Sequence, residues 1–140
     1  MGDFEPTIIA FVCNWCTYTA ADLAGTSRLI YPPNVRLIRM MCTGMVDPKY
    51  VIKALLEGAD AVLISGCHPG DCHYINGNYK ARRRVKLLKE ILPRFGFDER
   101  RVKLTWIGAS EGIDFARIIK EMVADLKALG PNEVREKMVL

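Results

Sequence analysis

The sequence predicts an α/β fold in which four parallel strands form one small, doubly wound sheet. Four short, β-prone apolar runs of strand length recur along the 140 residues. Segments with helix-like apolar spacing or helix start signals separate them. The first and third runs are almost continuously apolar, as in parallel strands that helices cover on both faces. Strands that alternate with helices in this way indicate a parallel α/β sheet.

The first half of the chain supplies two of these strands. Thr7–Val12 is apolar and β-prone, and it leads directly into Cys13. The alanine-rich stretch that follows predicts a helix with Thr17 or Thr19 as its N-cap. After a break at two prolines, Val35–Met40 predicts the second strand, which ends just before Cys42.

The middle of the chain begins with a strong helix signal. Asp47 and Pro48 predict an N-cap and first helical position, and the helix should end near Gly58. Ala61–Ser65 is the third predicted strand, and it leads into a motif with two cysteines, Gly66–Tyr74.

The last third predicts two helices and one strand. Residues 76–78 predict either a turn or a helix start, and the basic amphipathic helix that follows ends at Pro93. Val102–Ile107 is the fourth strand. Ser110 is the expected cap of the final helix, whose apolar residues fit a 3.6-residue period until Gly130 and Pro131 end it.

Four βα units of this kind resemble a flavodoxin-like domain with strand order 2-1-3-4. No internal repeat, low-complexity segment or linker divides the chain, so we expect a single domain over 1–140. The tail, 131–140, is charged but ends in three apolar residues, and we expect it to be either frayed or docked on a partner.

Composition limits the classes of function. The longest apolar run is far shorter than the roughly 20 residues that a membrane helix needs. The N-terminal residues lack the pattern of a signal peptide, so we expect a cytoplasmic protein without a membrane span. The net charge of +4 is concentrated in the basic helix, 80–89. Only Tyr79 accompanies those charges, which argues against nucleic-acid binding. The helix is either a solvated face or a docking surface for an acidic protein.

Five cysteines dominate the chemistry of the sequence. All of them follow the predicted ends of strands one, two and three: Cys13, Cys16, Cys42, Cys67 and Cys72. Ligands of doubly wound sheets bind outside the carboxyl ends of the strands. Clustered cysteines in a reducing compartment more often bind metal or do redox chemistry than form structural disulfides. We therefore expect the separated loops to meet around one metal centre.

The spacing of the thiols leaves three kinds of site open. Four thiolates satisfy either a tetrahedral zinc ion or a 2Fe–2S cluster. Cys13 and Cys16 could instead form a thioredoxin-like dithiol. The chain has enough apolar sequence to fold without a metal, which favours an electron-transfer centre over a zinc-stabilised adaptor. His68 and His73 each follow a cysteine directly, and neighbouring side chains diverge, so we place both outside the ligand set.

Three motifs in order also resemble a known family. They are Phe11–Cys16 with Ala21-Asp22, Arg39–Gly44, and Gly66–Tyr74 with Gly77-Asn78. Together they look like the delta (D) subunit of methyl-viologen-reducing nickel–iron hydrogenase of methanogens, over roughly residues 6–130. The resemblance implies a 2Fe–2S cluster and a non-catalytic electron relay within a large hetero-oligomer. Electrons would come from the large and small hydrogenase subunits, or from a formate dehydrogenase. They would pass to the flavin-containing A subunit of heterodisulfide reductase for electron bifurcation in methanogenesis.

The resemblance implies more thiols than such a cluster needs. Five cysteines match the motifs, whereas a 2Fe–2S cluster takes four ligands. Cys67, Cys72 and Cys42 belong in the expected set. Either Cys13 or Cys16 completes it, and we favour Cys13 because it sits at the rigid end of a strand. The surplus thiol would then lie beside the cluster.

Overall fold

Four parallel strands form the centre of the molecule, in the order β2-β1-β3-β4. The structure is a computed structural model, and it describes residues 5–28, 33–68 and 77–132. The strands are β1 (Ile8–Cys13), β2 (Val35–Met40), β3 (Ala61–Gly66) and β4 (Val102–Trp106). The helices are α1 (Thr17–Thr26), α2 (Pro48–Leu56), α3 (Gly77–Ile91) and α4 (Gly112–Leu129). This arrangement confirms the predicted doubly wound sheet and its strand order.

Helices cover both faces of the sheet because both faces are apolar. On one face, Ile8 and Leu63 pack against Phe115 and Ile119 of α4, and α1 joins the same cluster. On the other face, β-strand side chains such as Val62 pack against α2 and α3. Each cluster removes a continuous apolar surface from water, which is the main stabilising contribution to such a fold.

The register of the sheet aligns the carboxyl ends of its strands. Ile8 of β1 lies beside Val35 of β2 and Ala61 of β3. At the other end, Cys13 lies beside Met40. The loops that follow β1, β2 and β3 therefore leave the sheet at one edge.

Two of the predicted helix starts are wrong, and one is confirmed. Asp47 caps α2 and accepts a hydrogen bond from the Lys49 amide at 2.9 Å. Cys16, not a threonine, occupies the N-cap of α1, since the Thr17 hydroxyl turns towards the sheet. The cap of α4 is Glu111 rather than Ser110.

The start of α4 is fixed by close packing against α1. A Cβ atom on Gly112 would lie 3.1 Å from the backbone nitrogen of Ala24. The absence of a side chain at this position lets the two helices approach closely. Ser110 lies in the turn just before this contact.

The C-terminal end of the described chain is anchored to the core. Asn132 is buried, and its amide donates to the Leu55 carbonyl oxygen at 2.9 Å. Residues 133–140, which make up most of the tail predicted to be frayed or docked, lie outside the described residues. No helix in the described ranges has the length and apolar character that a membrane crossing requires.

Candidate metal centre

The switch point of the sheet brings two cysteines together. Chain connections from β1 and β3 lead to opposite sides of the sheet, which opens a crevice between the carboxyl ends of these two strands. Cys13 is the last residue of β1, and Cys67 directly follows β3. Their Sγ atoms lie 3.7 Å apart, and each residue is 2% exposed.

Cys16 adds a third sulfur to the same place. It occupies the N-cap position of α1 and is half-buried. The sulfurs of Cys13, Cys16 and Cys67 all lie within 4.8 Å of one another. The structure joins Cys16 to Cys67 as a disulfide, with Cα atoms 5.4 Å apart. The thiol of the helix cap is thus paired with the buried strand-end thiol, and not with its neighbour in the C-x2-C motif.

Cys42 lies at the same edge of the sheet but outside that group of three sulfurs. It follows β2, is 5% exposed, and accepts a hydrogen bond on its sulfur from the Gly44 amide at 3.4 Å. The Cys13 thiol contacts the carbonyl oxygen of Met41 at 3.8 Å, so the Cys42 loop passes beside Cys13. Cys72, the fifth expected thiol, and His73 lie outside the described residues.

The spacing of the sulfurs fits a metal held by thiolates. Two sulfurs bound at about 2.3 Å to one tetrahedral ion lie about 3.8 Å apart. The Cys13 and Cys67 sulfurs meet this requirement without any movement. Thiolates are soft ligands that suit zinc and iron–sulfur clusters. The residues present therefore fit a thiolate-ligated metal, and their chemistry alone does not choose between zinc and iron.

Hydrogen-bonded hydroxyl groups lie close in sequence to two of the cysteines, Cys16 and Cys67. The Thr17 and Ser65 hydroxyls lie 3.0 Å apart, and Thr105 donates to Ser65 at 3.1 Å. Thr17 follows Cys16, and Ser65 precedes Cys67 by two residues. The start of α1 is thereby tied to β3 and β4. These contacts hold the backbones that carry two of the sulfurs.

Asn78 holds the backbone at Cys67 from the other side. Its side-chain amide donates to the carbonyl oxygens of Cys67 at 3.1 Å and His68 at 3.0 Å. The residue is 1% exposed, and among the described residues its Oδ1 atom has no hydrogen-bond partner. Buried polar groups are nearly always paired, and the Asn78 amide meets this requirement through its two donors. Its role in the fold is therefore to hold the backbone at Cys67 and His68.

His68, which follows Cys67, pairs with an acid. Its Nε2 atom contacts Oε1 of Glu111, which also accepts a hydrogen bond from the Gly108 amide at 2.7 Å. The contacts with His68 and then with Gly108 hold the pKa of Glu111 below its usual value of 4.5. The pair links the loop after β3 to the start of α4. His68 is thus paired with Glu111 in this structure.

Glycines let the loops of the site approach one another. A Cβ atom on Gly44 would lie 2.9 Å from the Cα of Gly77, and one on Gly66 would lie 2.6 Å from Thr43. Arg84 of α3 adds a hydrogen bond to the Gly44 carbonyl oxygen. The turn that follows Cys42 is thus packed against both the end of β3 and the start of α3.

Sequence reasoning missed several of these supporting residues. Ser65 carries the single hydroxyl in an otherwise apolar strand, and this is a signal that could have marked it. Glu111 has no such signal, because its partner His68 lies 43 residues away. Asn78 belongs to one of the family-like motifs, but its role depends on a fold contact across ten residues.

Comparison with known families agrees with the cysteine-rich edge. Residues 8–130 match the family model described as FlpD, methyl-viologen-reducing hydrogenase, delta subunit. The chain is 50% identical over 129 residues to the iron–sulfur D subunit of F420-non-reducing hydrogenase from Archaeoglobus profundus, covering 92% of this chain and 94% of that protein. It is 49% identical over 134 residues to the vhc iron–sulfur D subunit of F420-non-reducing hydrogenase from Methanococcus voltae, covering 96% and 93%.

A third relative is a much longer protein. The chain is 48% identical over 126 residues to the A subunit of ferredoxin/F420H2-dependent CoB-CoM heterodisulfide reductase from Methanosarcina acetivorans. The match covers 90% of this chain but only 16% of that protein. In the Methanosarcina protein, a sequence like this chain is thus one part of a longer polypeptide.

Proposed function

The chain belongs to the family of methyl-viologen-reducing hydrogenase delta subunits, and we propose that it relays electrons in an oxidoreductase complex. It takes them from the large and small subunits of a hydrogenase, or from a formate dehydrogenase. It passes them to the flavin-containing A subunit of heterodisulfide reductase. There they divide between ferredoxin and the heterodisulfide of coenzymes M and B during methanogenesis. In this role the chain is a cytoplasmic part of a large hetero-oligomer and has no substrate of its own.

The meeting of Cys13, Cys16 and Cys67 at the switch point carries this proposal. We assign the site to a 2Fe–2S cluster, which accepts and releases single electrons when bound. The name of the Archaeoglobus relative supports iron and sulfur over zinc. The buried strand ends supply rigid positions for the ligands, and the Gly44 amide donates to the Cys42 sulfur. Such hydrogen bonds to sulfur are one means of setting a reduction potential.

The proposed ligands are Cys13, Cys42, Cys67 and Cys72. The 3.7 Å separation of the Cys13 and Cys67 sulfurs supports placing both on one iron. Cys42 is buried at the same edge, and Cys72 enters the set through its x4 spacing from Cys67. Cys16 is the fifth thiol. It is more exposed than Cys13 and pairs with Cys67 only when the cluster is absent.

The partner assignment is supported by the Methanosarcina relative. There, the sequence that resembles this chain lies within the polypeptide named as the A subunit of heterodisulfide reductase. Covalent connection gives two modules a high effective concentration for each other. We therefore propose that the separate chain docks on the corresponding A subunit.

The Cys16–Cys67 disulfide favours one alternative, a dithiol oxidoreductase. Such an enzyme needs an accessible nucleophilic thiolate. Cys67 is 2% exposed, so Cys16 would have to be that nucleophile. Mutation distinguishes the two functions, because Cys16→Ser abolishes dithiol chemistry but leaves the proposed cluster in place.

The relay is tested by following the colour of the protein under anaerobic conditions. The purified chain is mixed with the hydrogenase of its own organism under hydrogen. We expect its visible absorbance to fall only when hydrogenase and hydrogen are both present. Absorbance should recover when the oxidised A subunit of heterodisulfide reductase is added. A fully loaded protein that neither partner reduces or oxidises would contradict the relay.

A further inference from the structure

The exposed side of α3 is strongly basic. The stretch 77–95 contains seven lysines and arginines and a single acidic residue, Glu90. Its positive excess is larger than the net charge of +4 of the whole chain. The exposed basic residues on the helix are Lys80, Arg82, Arg83, Arg84 and Lys86. Like charges on successive helical turns repel, so this arrangement costs the free chain stability.

Among the described residues, the basic side chains of α3 have no acidic partner, whereas other basic side chains do. Elsewhere in the described chain, Arg100 pairs with Asp98 at 2.7 Å, and Lys127 pairs with Glu5 at 3.2 Å. Within residues 5–28, 33–68 and 77–132, neither Lys80 nor Arg83 has a carboxylate within 4 Å. No acidic side chain of the described residues covers these positive charges.

The basic surface adjoins the metal centre. Arg84 donates to the carbonyl oxygen of Gly44, in the turn that follows Cys42. Lys80 lies three positions before Arg83 and four before Arg84, so it shares a side of the helix with both. Asn78, in the first turn of α3, contacts the backbone of Cys67. The basic residues of α3 therefore lie next to the backbone that carries Cys42 and Cys67.

Exposed apolar side chains lie on those cysteine loops. Trp15, between Cys13 and Cys16, is 42% exposed, and Met41 and Met45, on either side of Cys42, are 46% and 56% exposed. Aromatic residues and methionine are enriched at protein interfaces, whose apolar centres have polar rims. The same edge of the sheet combines exposed apolar side chains with the basic residues of α3, as a protein interface combines an apolar centre with a polar rim.

We infer that Lys80 and Arg83, together with Met45, form the docking surface for an acidic face of the electron-accepting protein. The inference rests on the proposed function, since it takes the acceptor to be the A subunit of heterodisulfide reductase. A positive rim steers an acidic partner into position and raises the rate of association. The location beside Cys42 brings that partner next to the cluster.

The apolar residues favour a protein over a nucleic acid as the occupant. Single-stranded nucleic acid is bound by aromatic residues interleaved with basic ones. On α3 only Tyr79 accompanies the charges. Methionines beside the basic residues suit an apolar protein contact.

The test compares two matched double variants. Lys80→Glu/Arg83→Glu reverses the proposed surface. Lys120→Glu/Lys127→Glu makes the same change in net charge on α4, which covers the other face of the sheet. Arg84 is left in place because it contacts Gly44. Binding of the anaerobic, cluster-loaded proteins to the A subunit is measured at low and high salt. Iron content and melting temperature confirm that each variant is folded.

We expect the α3 variant to bind about tenfold more weakly or worse at low salt, with little remaining salt dependence. The α4 variant should bind as the wild type does. If the two variants have equal affinity, the docking surface is overturned while the relay stands. If the wild-type chain neither binds the A subunit nor exchanges electrons with it, the proposed function itself fails. Binding to a short DNA duplex, lost only in the α3 variant while A-subunit binding persists, would overturn the inference in favour of nucleic acid.

Should the double charge reversal prevent folding, Lys80→Gln/Arg83→Gln removes the positive charges without adding negative ones. Its expected effect has the same direction and a smaller size. An unchanged affinity in this folded variant would also overturn the docking surface.

Discussion

Gly44 and Gly77 lie in close backbone contact, which packs the Cys42 turn against the start of α3. A Cβ atom on Gly44 would lie 2.9 Å from the Cα of Gly77 and 3.0 Å from its carbonyl oxygen. Both neighbours are backbone atoms, which cannot swing aside as a side chain does. The contact joins the turn after Cys42, one proposed ligand, to the helix that begins at Gly77.

Gly44→Ala should therefore separate these two segments. Overpacking against backbone typically costs about 1–3 kcal/mol, and we expect a melting temperature several degrees lower with reduced iron content. Gly25→Ala is the matched control, since a Cβ there meets nothing within 4 Å. Inside α1 it should leave the iron content unchanged and stabilise by at most about 1 kcal/mol. Equal thermal stability and equal iron content in the two variants would count against the close contact.

Asn78→Ala should loosen the backbone at Cys67. It removes the two hydrogen bonds that the buried amide donates to the carbonyl oxygens of Cys67 and His68. The expected cost is about 2–3 kcal/mol, with a changed electron paramagnetic resonance (EPR) spectrum of the reduced cluster. Asn34→Ala is the control, because its amide also donates to a backbone carbonyl, that of Pro6 at 2.9 Å, on a loop without cysteines. Asn34→Ala should lower stability and leave the EPR spectrum unchanged. An unchanged EPR spectrum in Asn78→Ala would show that the amide does not position Cys67.

The stability of the chain should fall in acid partly through Asp98. The side chain and then the backbone amide of Arg100 lower the pKa of Asp98 from 3.8 to about 2. Because the folded-state pKa is depressed, this contribution is complete above about pH 4 and disappears as pH falls towards 2. Asp98 is partly exposed, so solvent screening limits it to about 1 kcal/mol.

In the wild type the Arg100 amide donates to the Asp98 carboxylate at 2.9 Å. Asp98→Asn keeps an oxygen that can accept this hydrogen bond and removes the titrating charge. Melting temperatures of this variant should fall less steeply between pH 4 and pH 2 than those of the wild type. Parallel curves for the two proteins would mean that Asp98 has a similar pKa in the folded and unfolded chain.

Loss of the cluster should produce one specific disulfide. After treatment with a chelator and an oxidant, the thiols of Cys16 and Cys67 each give up a proton and an electron and form the bond seen in the structure. Alkylation followed by peptide mass spectrometry should detect it in the wild type and not in Cys16→Ser. We also expect Cys16→Ser to retain its cluster and Cys13→Ser to lose it. A Cys13–Cys16 disulfide in place of Cys16–Cys67 would contradict this pairing.

The sheet could be predicted from the sequence because each strand is marked by an apolar run within its own few residues. Continuous apolar runs such as Ala61–Ile64 can be recognised without knowing their neighbours. The approach of Cys13 to Cys67 also followed, since the order of the strands places the ends of β1 and β3 at one switch point. Residue periodicity and topology together were enough for these features.

The supporting contacts could not be predicted in this way. The Glu111–His68 pair and the Thr17–Ser65 hydroxyl contact join residues 43 and 48 positions apart. No local pattern specifies such partners. The same contacts explain the wrong helix caps, because Thr17 turns to Ser65 rather than capping α1. Local signals describe a terminus correctly only where no tertiary contact competes for the side chain.

The central claim is that thiols from separate loops hold one 2Fe–2S cluster at the edge of the sheet. Iron and acid-labile sulfide are measured in the anaerobically purified chain, with EPR after reduction. The claim predicts a brown protein with about two irons and two sulfides per chain and a paramagnetic signal in the reduced state. A colourless protein with one zinc per chain, or with no metal and a Cys16–Cys67 disulfide under the same conditions, would contradict it.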